Sequence, residues 1–200
     1  MPKPANPELP RRILDLTLEE LRGKPPERIN MRELAKRAGV SATAIYYYFE
    51  SKEALFEVIK FEALDEAEAR VRAAVAAAGG GPKERLLAFM RAFAAWCLER
   101  PETARLFMQS LPPRLDLDEE GMQRYYSLHL LGRDLLEEAV AAGLIPPRDL
   151  DLEVSLAQSA LWGIVSQYLD KRIHPRFWKS PDELIERLAD LLVAEKGVDR

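Results

Sequence analysis

The chain has 200 residues, of which 48% are hydrophobic and 31% charged, with a formal net charge of −4 at pH 7. That length and balance suit one compact domain, or two small ones sharing a core, and exclude wholesale disorder. The single cysteine, Cys97, and the two histidines, His129 and His174, exclude an internal disulfide and a Cys- or His-rich metal site, so neither metal nor cofactor is expected.

Proline and glycine cut the chain into helix-length pieces rich in Ala, Leu, Glu and Arg, all good helix formers. Period-2 runs of β-branched residues are absent, so the fold class is all-α. Nine helices are predicted, over about 10–22, 31–38, 42–48, 52–78, 83–99, 102–110, 118–142, 150–172 and 182–195. The first carries Ile13, Leu14, Leu16, Leu18 and Leu21 as its apolar set. The second opens on Asn30 with Glu33 three residues on, a capping-box pattern flanked by Ile29 and Leu34 at the spacing of a hydrophobic staple. Gly39 ends it, and Ser41 caps the third helix, whose Ile45 and Phe49 pack inward at i and i+4. Gly79-Gly80-Gly81 follows a helix and lacks the Lys-Ser/Thr of a phosphate loop, so it reads as a turn. Ser180-Pro181-Asp182-Glu183 starts the last helix with an N-cap, a first-turn proline and two acids at the positive end of the dipole.

The net charge is unevenly placed. Residues 1–52 hold ten Lys and Arg against seven acids, a balance of +3, whereas residues 53–200 hold 19 against 26, a balance of −7. A small basic head therefore precedes a larger acidic body. No apolar run approaches the ~20 residues of a membrane span. Met1 to Pro10 lacks the apolar segment of a signal peptide, so the expectation is a cytoplasmic protein with no membrane partner.

Within the head, two short helices joined by a glycine turn are the arrangement of a helix-turn-helix, whose second helix enters the DNA major groove. Its leading residues here are Ala42, Thr43 and Ala44, followed by Tyr46, Tyr47 and Tyr48. The three tyrosines also suit packing of the small domain, and Arg32, Lys36 and Arg37 also suit a solvated face.

Residues 10–60 resemble the DNA-binding domain of the TetR family of bacterial transcription regulators. The resemblance rests on the apolar first helix, Met31-Arg32-Glu33-Leu34-Ala35, Ala38-Gly39-Val40-Ser41, Ile45-Tyr46, Phe49 and Ser51-Lys52-Glu53-Ala54-Leu55, in order. It implies a DNA-binding domain over 1–52 and a helical effector-binding and dimerisation domain over 53–200. It also implies phosphate contacts by Lys52, Tyr46 and Asn30, and base contacts by Ala42, Thr43, Ala44 and Tyr47, with Arg32, Ser41 and Tyr48 completing the interface. Ala42 and Tyr48 stand where relatives often carry Lys or Gln and His. The reading helix has no Arg, Lys, Asn or Gln, which leaves the Thr43 hydroxyl, alanine methyls against thymine methyls, Tyr47 and DNA shape to read sequence.

In the body, the family's last two helices form a four-helix bundle with a second subunit. The resemblance thus implies a homodimer through Leu161, Val165, Tyr168, Leu184, Leu188 and Leu191, residues that equally suit the core of one protomer. Gly163 permits close helix approach. Aromatic and methionine residues concentrate around 89–129, and such side chains line many apolar cavities or fill plain core. The effector pocket expected from the resemblance draws on Met90, Phe93, Phe107, Met108, Met122, Tyr125, Tyr126, His129, Gln158 and Trp162.

The expected function is a dimeric repressor of double-stranded operator DNA, released by a small apolar or amphipathic effector. The alternatives are a constitutive DNA-binding regulator and an all-α ligand carrier or enzyme. The acid pairs Glu137–Glu138 and Asp118–Glu119–Glu120 do not face each other on a helix and have no His or Cys partner, so no enzyme is expected.

Overall fold

In a computed structural model describing residues 7–109, 118–172, 175–177 and 179–193, ten α-helices and two 3₁₀ turns carry the chain, with no strand among those residues. In order these are α1 (Leu9–Leu21), a 3₁₀ turn (Pro26–Arg28), α2 (Met31–Ala38), α3 (Ala42–Tyr48), α4 (Lys52–Ala77), α5 (Pro82–Glu99) and α6 (Pro101–Gln109). There follow α7 (Glu119–Tyr125), α8 (Ser127–Ala141), α9 (Leu150–Leu169), a second 3₁₀ turn (Pro175–Phe177) and α10 (Pro181–Leu192).

Two boundaries differ from the predicted ones. The single helix expected over 118–142 breaks at Tyr126, whose backbone sits at φ −97° and ψ 12°. None of α7's residues is buried, whereas Ser127, Gly132, Leu135, Leu136 and Ala139 of α8 are. α7 has no buried apolar stripe that would continue the packing of α8, and is tied instead by Arg124, whose guanidinium meets Asp65 of α4. The helix expected to reach 172 ends at Leu169, because Lys171 takes a left-handed φ of 50°. The last two residues of the helix predicted to 195 lie outside the described residues.

Packing divides the chain into two compact units. One is drawn from Met1–Ala63 and Arg100–Asp116, the other from Leu64–Glu99 and Leu117–Arg200, so α4 starts in the first and continues in the second. These are units of contact, not the functional division drawn at residue 52.

The first unit closes on Ile13, Leu14, Leu21, Ile29, Leu34, Ile45, Phe49, Leu55 and Ile59, together with Leu106 from α6. Polar pairs fix its edges. Glu20 is buried, and its carboxylate accepts from Arg37 (3.0 Å) and meets Lys24 (3.3 Å), which ties α2 to α1. Glu102, also buried, faces Arg22 at 3.5 Å and secures α6 to α1.

In the second unit α5, α8, α9 and α10 pack on one another. Gly132 of α8 is buried against Val154 of α9, where a Cβ would meet the valine at 3.6 Å, an ordinary contact. Arg91 pairs with Asp182 and Glu186, and Lys83 with Asp190 at 2.9 Å, along the α5–α10 seam. The Ser180–Glu183 capping box is complete, with both reciprocal hydrogen bonds present.

Candidate nucleic-acid interface

The geometry of the interface begins with the caps that aim α2 and α3. Asn30 is extended, and its Oδ1 accepts from the backbone N–H of Arg32 (2.8 Å) and Glu33 (3.4 Å). Glu33 does not complete the predicted reciprocal box; its carboxylate turns to Lys24 Nζ at 3.5 Å. At the other end Gly39 lies at φ 73° and ψ 30° and donates to Lys36, while Val40 donates to Ala35 at 2.9 Å. This 6→1 and 5→2 pairing is a Schellman motif, and it needs the left-handed backbone that glycine adopts without strain. Ser41 then accepts from Ala44 N–H at 3.2 Å and starts α3.

Ile45 is fully buried and Phe49 nearly so, which turns one face of α3 into the core. At 100° per residue the opposite face belongs to Thr43 and Tyr47, with Tyr46 on one flank and Ala44 and Tyr48 on the other. Exposure follows: Tyr47 is 79% exposed, Tyr46 46%, Thr43 is exposed, and Ala42, Ala44 and Tyr48 are half-buried. The Tyr48 ring meets Tyr47 edge-to-face at 5.2 Å.

Tyr46 points to a cleft of about 340 Å³ lined also by Ile29, Asn30, Met31, Arg32 and Lys52. Four of the residues expected to touch phosphate or frame the interface, from three separate elements, thus converge on one concavity. Lys52 is held there by its own fold. Its Nζ donates to the carbonyls of Pro26 (3.3 Å) and Glu27 (3.4 Å) and lies 5.9 Å from the Phe56 ring centroid. An ammonium has three donors, so one remains for an anion in the cleft.

The cations of this unit differ in what engages them. Arg11, Arg22, Lys24 and Arg37 are consumed in ion pairs. Arg37 is therefore a tie to α1, where its sequence position suited a solvated face, and the bonds from Glu20 and Glu19 hold its guanidinium above the ordinary value. Arg32 is exposed and makes no ion pair among the described residues.

The chain carries two family matches over these regions. Residues 13–59 match the bacterial regulatory proteins of the tetR family, and residues 86–192, more than half of the chain, match the tetracyclin repressor-like C-terminal domain. The chain belongs to the TetR family. It is a DNA-binding transcription regulator by that membership, not an enzyme.

Solved structures share the TetR fold at low identity. One is a protein with unknown function from Rhodococcus sp. RHA1, 21% identical over 96% of this chain and 97% of that chain, with a TM-score of 0.76. A second is the TetR family transcriptional regulator PfmR from Thermus thermophilus, 24% identical over 94% of this chain and 100% of that one, with a TM-score of 0.64. A third is the fatty acid degradation regulator FadR from Bacillus halodurans, 19% identical over 92% and 97%, with a TM-score of 0.69. No curated protein sequence matches this chain.

In the body of this TetR-family chain the expected effector residues form separate groups. Met90 and Phe93 are buried on α5, and the Phe93 ring meets Trp162 of α9 edge-to-face at 5.2 Å. Tyr125, Tyr126 and His129 make a second aromatic group, with successive ring distances of 5.1 and 6.3 Å. His129 Nε2 stands 3.6 Å from Asp151 Oδ1, which also faces Arg133 at 3.4 Å. Burial, with Tyr126 beside it, pushes the Tyr125 phenol up. Met122, Tyr126 and Gln158 are exposed. Phe107 is half-buried and belongs to the other unit, and the Met108 side chain lies outside the described residues.

The expected dimer residues also divide. Leu161 and Val165, at 4% and 1% exposure, pack inside the protomer, the core placement that their sequence equally suits. Tyr168 donates its hydroxyl to the Lys179 carbonyl. Leu184 and Leu188 are half-buried and Leu191 is exposed. Leu156, one of the apolar residues of α9, is exposed, and so is Leu152, which sequence reasoning overlooked although it stands four residues before Leu156 on the same face. Sequence reasoning also overlooked Lys60, buried on α4, whose pKa burial lowers, and Ser127, a buried hydroxyl with no hydrogen-bond partner among the described residues. No described helix is long and apolar enough to cross a membrane.

Proposed function

We propose that this TetR-family regulator is a cytoplasmic homodimeric repressor. It grips operator phosphates through the Asn30–Arg32–Tyr46–Lys52 cleft and releases DNA when a small apolar or amphipathic effector binds its body. The observation that carries the reading is the convergence of those four side chains beside the exposed face of α3. Two cations, an amide and a phenol in one concavity make a phosphate seat, and the outward face of α3 then meets the groove. DNA binding belongs to about residues 1–52 and the regulatory functions to the rest.

Dimerisation is supported by an unpartnered surface on the last two helices. Leu152, Leu156 and Leu191 are exposed, Leu184 and Leu188 half-buried, and a Cβ at Gly163 meets nothing within 4 Å. A partner helix can therefore approach closely at Gly163. Two protomers related by a two-fold axis present two reading helices to half-sites ~34–36 Å apart. The aromatic and methionine content of α5, α7, α8 and α9 supports an apolar effector. Such a ligand acts only through tighter binding to the DNA-free arrangement.

The test is selection of bound duplexes from a random pool by the purified full chain at low salt, with sedimentation alongside. A palindrome with half-sites about one helical turn apart, bound by two chains, is the expected outcome. No enrichment, or a single asymmetric site bound by a monomer, overturns the proposal. Leu156→Glu and Gly163→Trp should each shift the protein to monomer while leaving helicity intact.

A further inference from the structure

The face of α3 that meets the groove carries an unusual set of chemical groups. Its outer ridge is Thr43 and Tyr47, flanked by Ala44, Tyr46 and Tyr48, so it offers methyl groups, aromatic rings and single hydroxyls. Bidentate recognition of guanine O6 and N7 takes Arg or Lys, and that of adenine N6 and N7 takes Asn or Gln. Nothing on α3 supplies either. Four cations of the same unit are engaged elsewhere. Arg37 is bound to Glu19 and Glu20, Arg11 to Asp15 and Glu62, and Arg32 and Lys52 line the phosphate cleft. Apolar side chains, by contrast, recognise the thymine C5-methyl, the one apolar feature of the major-groove edge.

We infer that this regulator reads its operator through thymine methyl groups, with Thr43 and Tyr47 as the specificity-determining residues and Tyr48 as a positioning residue. The inference rests on the proposed DNA-binding role of α3 and names the class of half-site it takes: runs containing contacted thymines, without an obligatory guanine contact. Tyr47 is 79% exposed, yet the Tyr48 ring packs edge-to-face against it at 5.2 Å. That contact limits the directions in which Tyr47 presents its ring, a requirement for an apolar contact with no hydrogen bond to align it. The Thr43 methyl lies one turn earlier on the same ridge.

The experiment starts from the duplex selected above and replaces its thymines one at a time with deoxyuridine, which removes only the methyl. Affinity is read by fluorescence anisotropy with the full chain. Each contacted thymine should cost about fourfold, the equivalent of one buried methyl group. Replacing that thymine pair by a C·G pair should weaken binding, and 5-methylcytosine should recover part of it, because the methyl returns to the same place in the groove. Thr43→Val should keep sensitivity to uracil, while Thr43→Ser and Tyr47→Ala should abolish it, each at its own base step. Tyr48→Ala should blunt the uracil penalty at the Tyr47 step while leaving the Thr43 step unchanged.

Selected half-sites that place guanines at the base steps read by Thr43 and Tyr47, or uracil duplexes bound as tightly as thymine ones, overturn the inference while leaving DNA binding intact. A pool from which nothing is enriched removes the DNA-binding reading and this inference together.

Discussion

The proposed phosphate-binding role of the cleft makes a quantitative prediction about salt. The cleft of each head holds two cations, Arg32 and Lys52, so the proposed dimer would bring four to the duplex. Each neutralised phosphate contributes about 0.9 to the slope of log K against log salt. Arg32→Ala, present in both heads, should therefore flatten that slope by about 1.8, as should Lys52→Met. Over the range from about 50 to 200 mM salt, the four contacts together account for roughly a 10²-fold fall in affinity, and the double variant should lose that part of the salt response. Lys52→Arg should retain the slope. Arg91→Ala should also leave it unchanged, because that guanidinium is committed to Asp182 and Glu186. Lys52→Met has a second consequence, since it removes two long, half-exposed hydrogen bonds to the Pro26 and Glu27 carbonyls. The loss should cost about 0.5–1 kcal/mol of stability, small enough for the variant to stay folded. Anisotropy titrations at several salt concentrations, with thermal melts of each variant, provide the measurement. Unchanged slopes in well-folded Arg32→Ala and Lys52→Met would refute the assignment of the cleft.

Four further outcomes follow from the packing. Gly39→Ala places a side chain at φ 73° but in open space, so strain without a clash should lower stability by about 1 kcal/mol in denaturant melts. Ser180→Ala removes the N-cap of α10 and should cost about 1 kcal/mol, read the same way. Burial pushes the Cys97 thiol up to about 12 from its ordinary 9.0. The folded chain thus keeps a proton that the unfolded chain loses, so stability should fall as pH rises from about 9 toward 12, and thiol reagents should label Cys97 only on unfolding. Arg91 and Lys83 hold Asp182 and Asp190 below the ordinary carboxylate value, so their contribution is present above about pH 4 and should be lost in acid melts below it.

Local chemistry was legible in the sequence because it is short-ranged. Asn30, Ser41 and Ser180 cap residues two or three positions away, and Gly39 closes a six-residue motif, so each follows from neighbours in the chain. The buried faces of α1 to α3 and the outward Thr43–Tyr47 ridge follow from the helical period in the same way. What tertiary structure decided depends on which of several compatible faces meets which neighbour. The sequence pattern of α9 allows Leu161 and Val165 to face a partner, and packing within the protomer buries them while leaving Leu152 and Leu156 outside. Arg37 reads as a solvated cation until α2 lies against α1 and Glu20 becomes its counterion. The break at Tyr126 falls in a Tyr-Tyr-Ser stretch of middling helix formers, at the point where the buried face of α8 ends and α7 has none. Lys52 meets the carbonyls of Pro26 and Glu27 across some 25 residues of chain, a contact no periodicity encodes. Hydrogen bonds between near neighbours are set by the residues themselves. The charge of the cleft, and which leucines stay at the surface, are set by how helices with several acceptable faces finally pack.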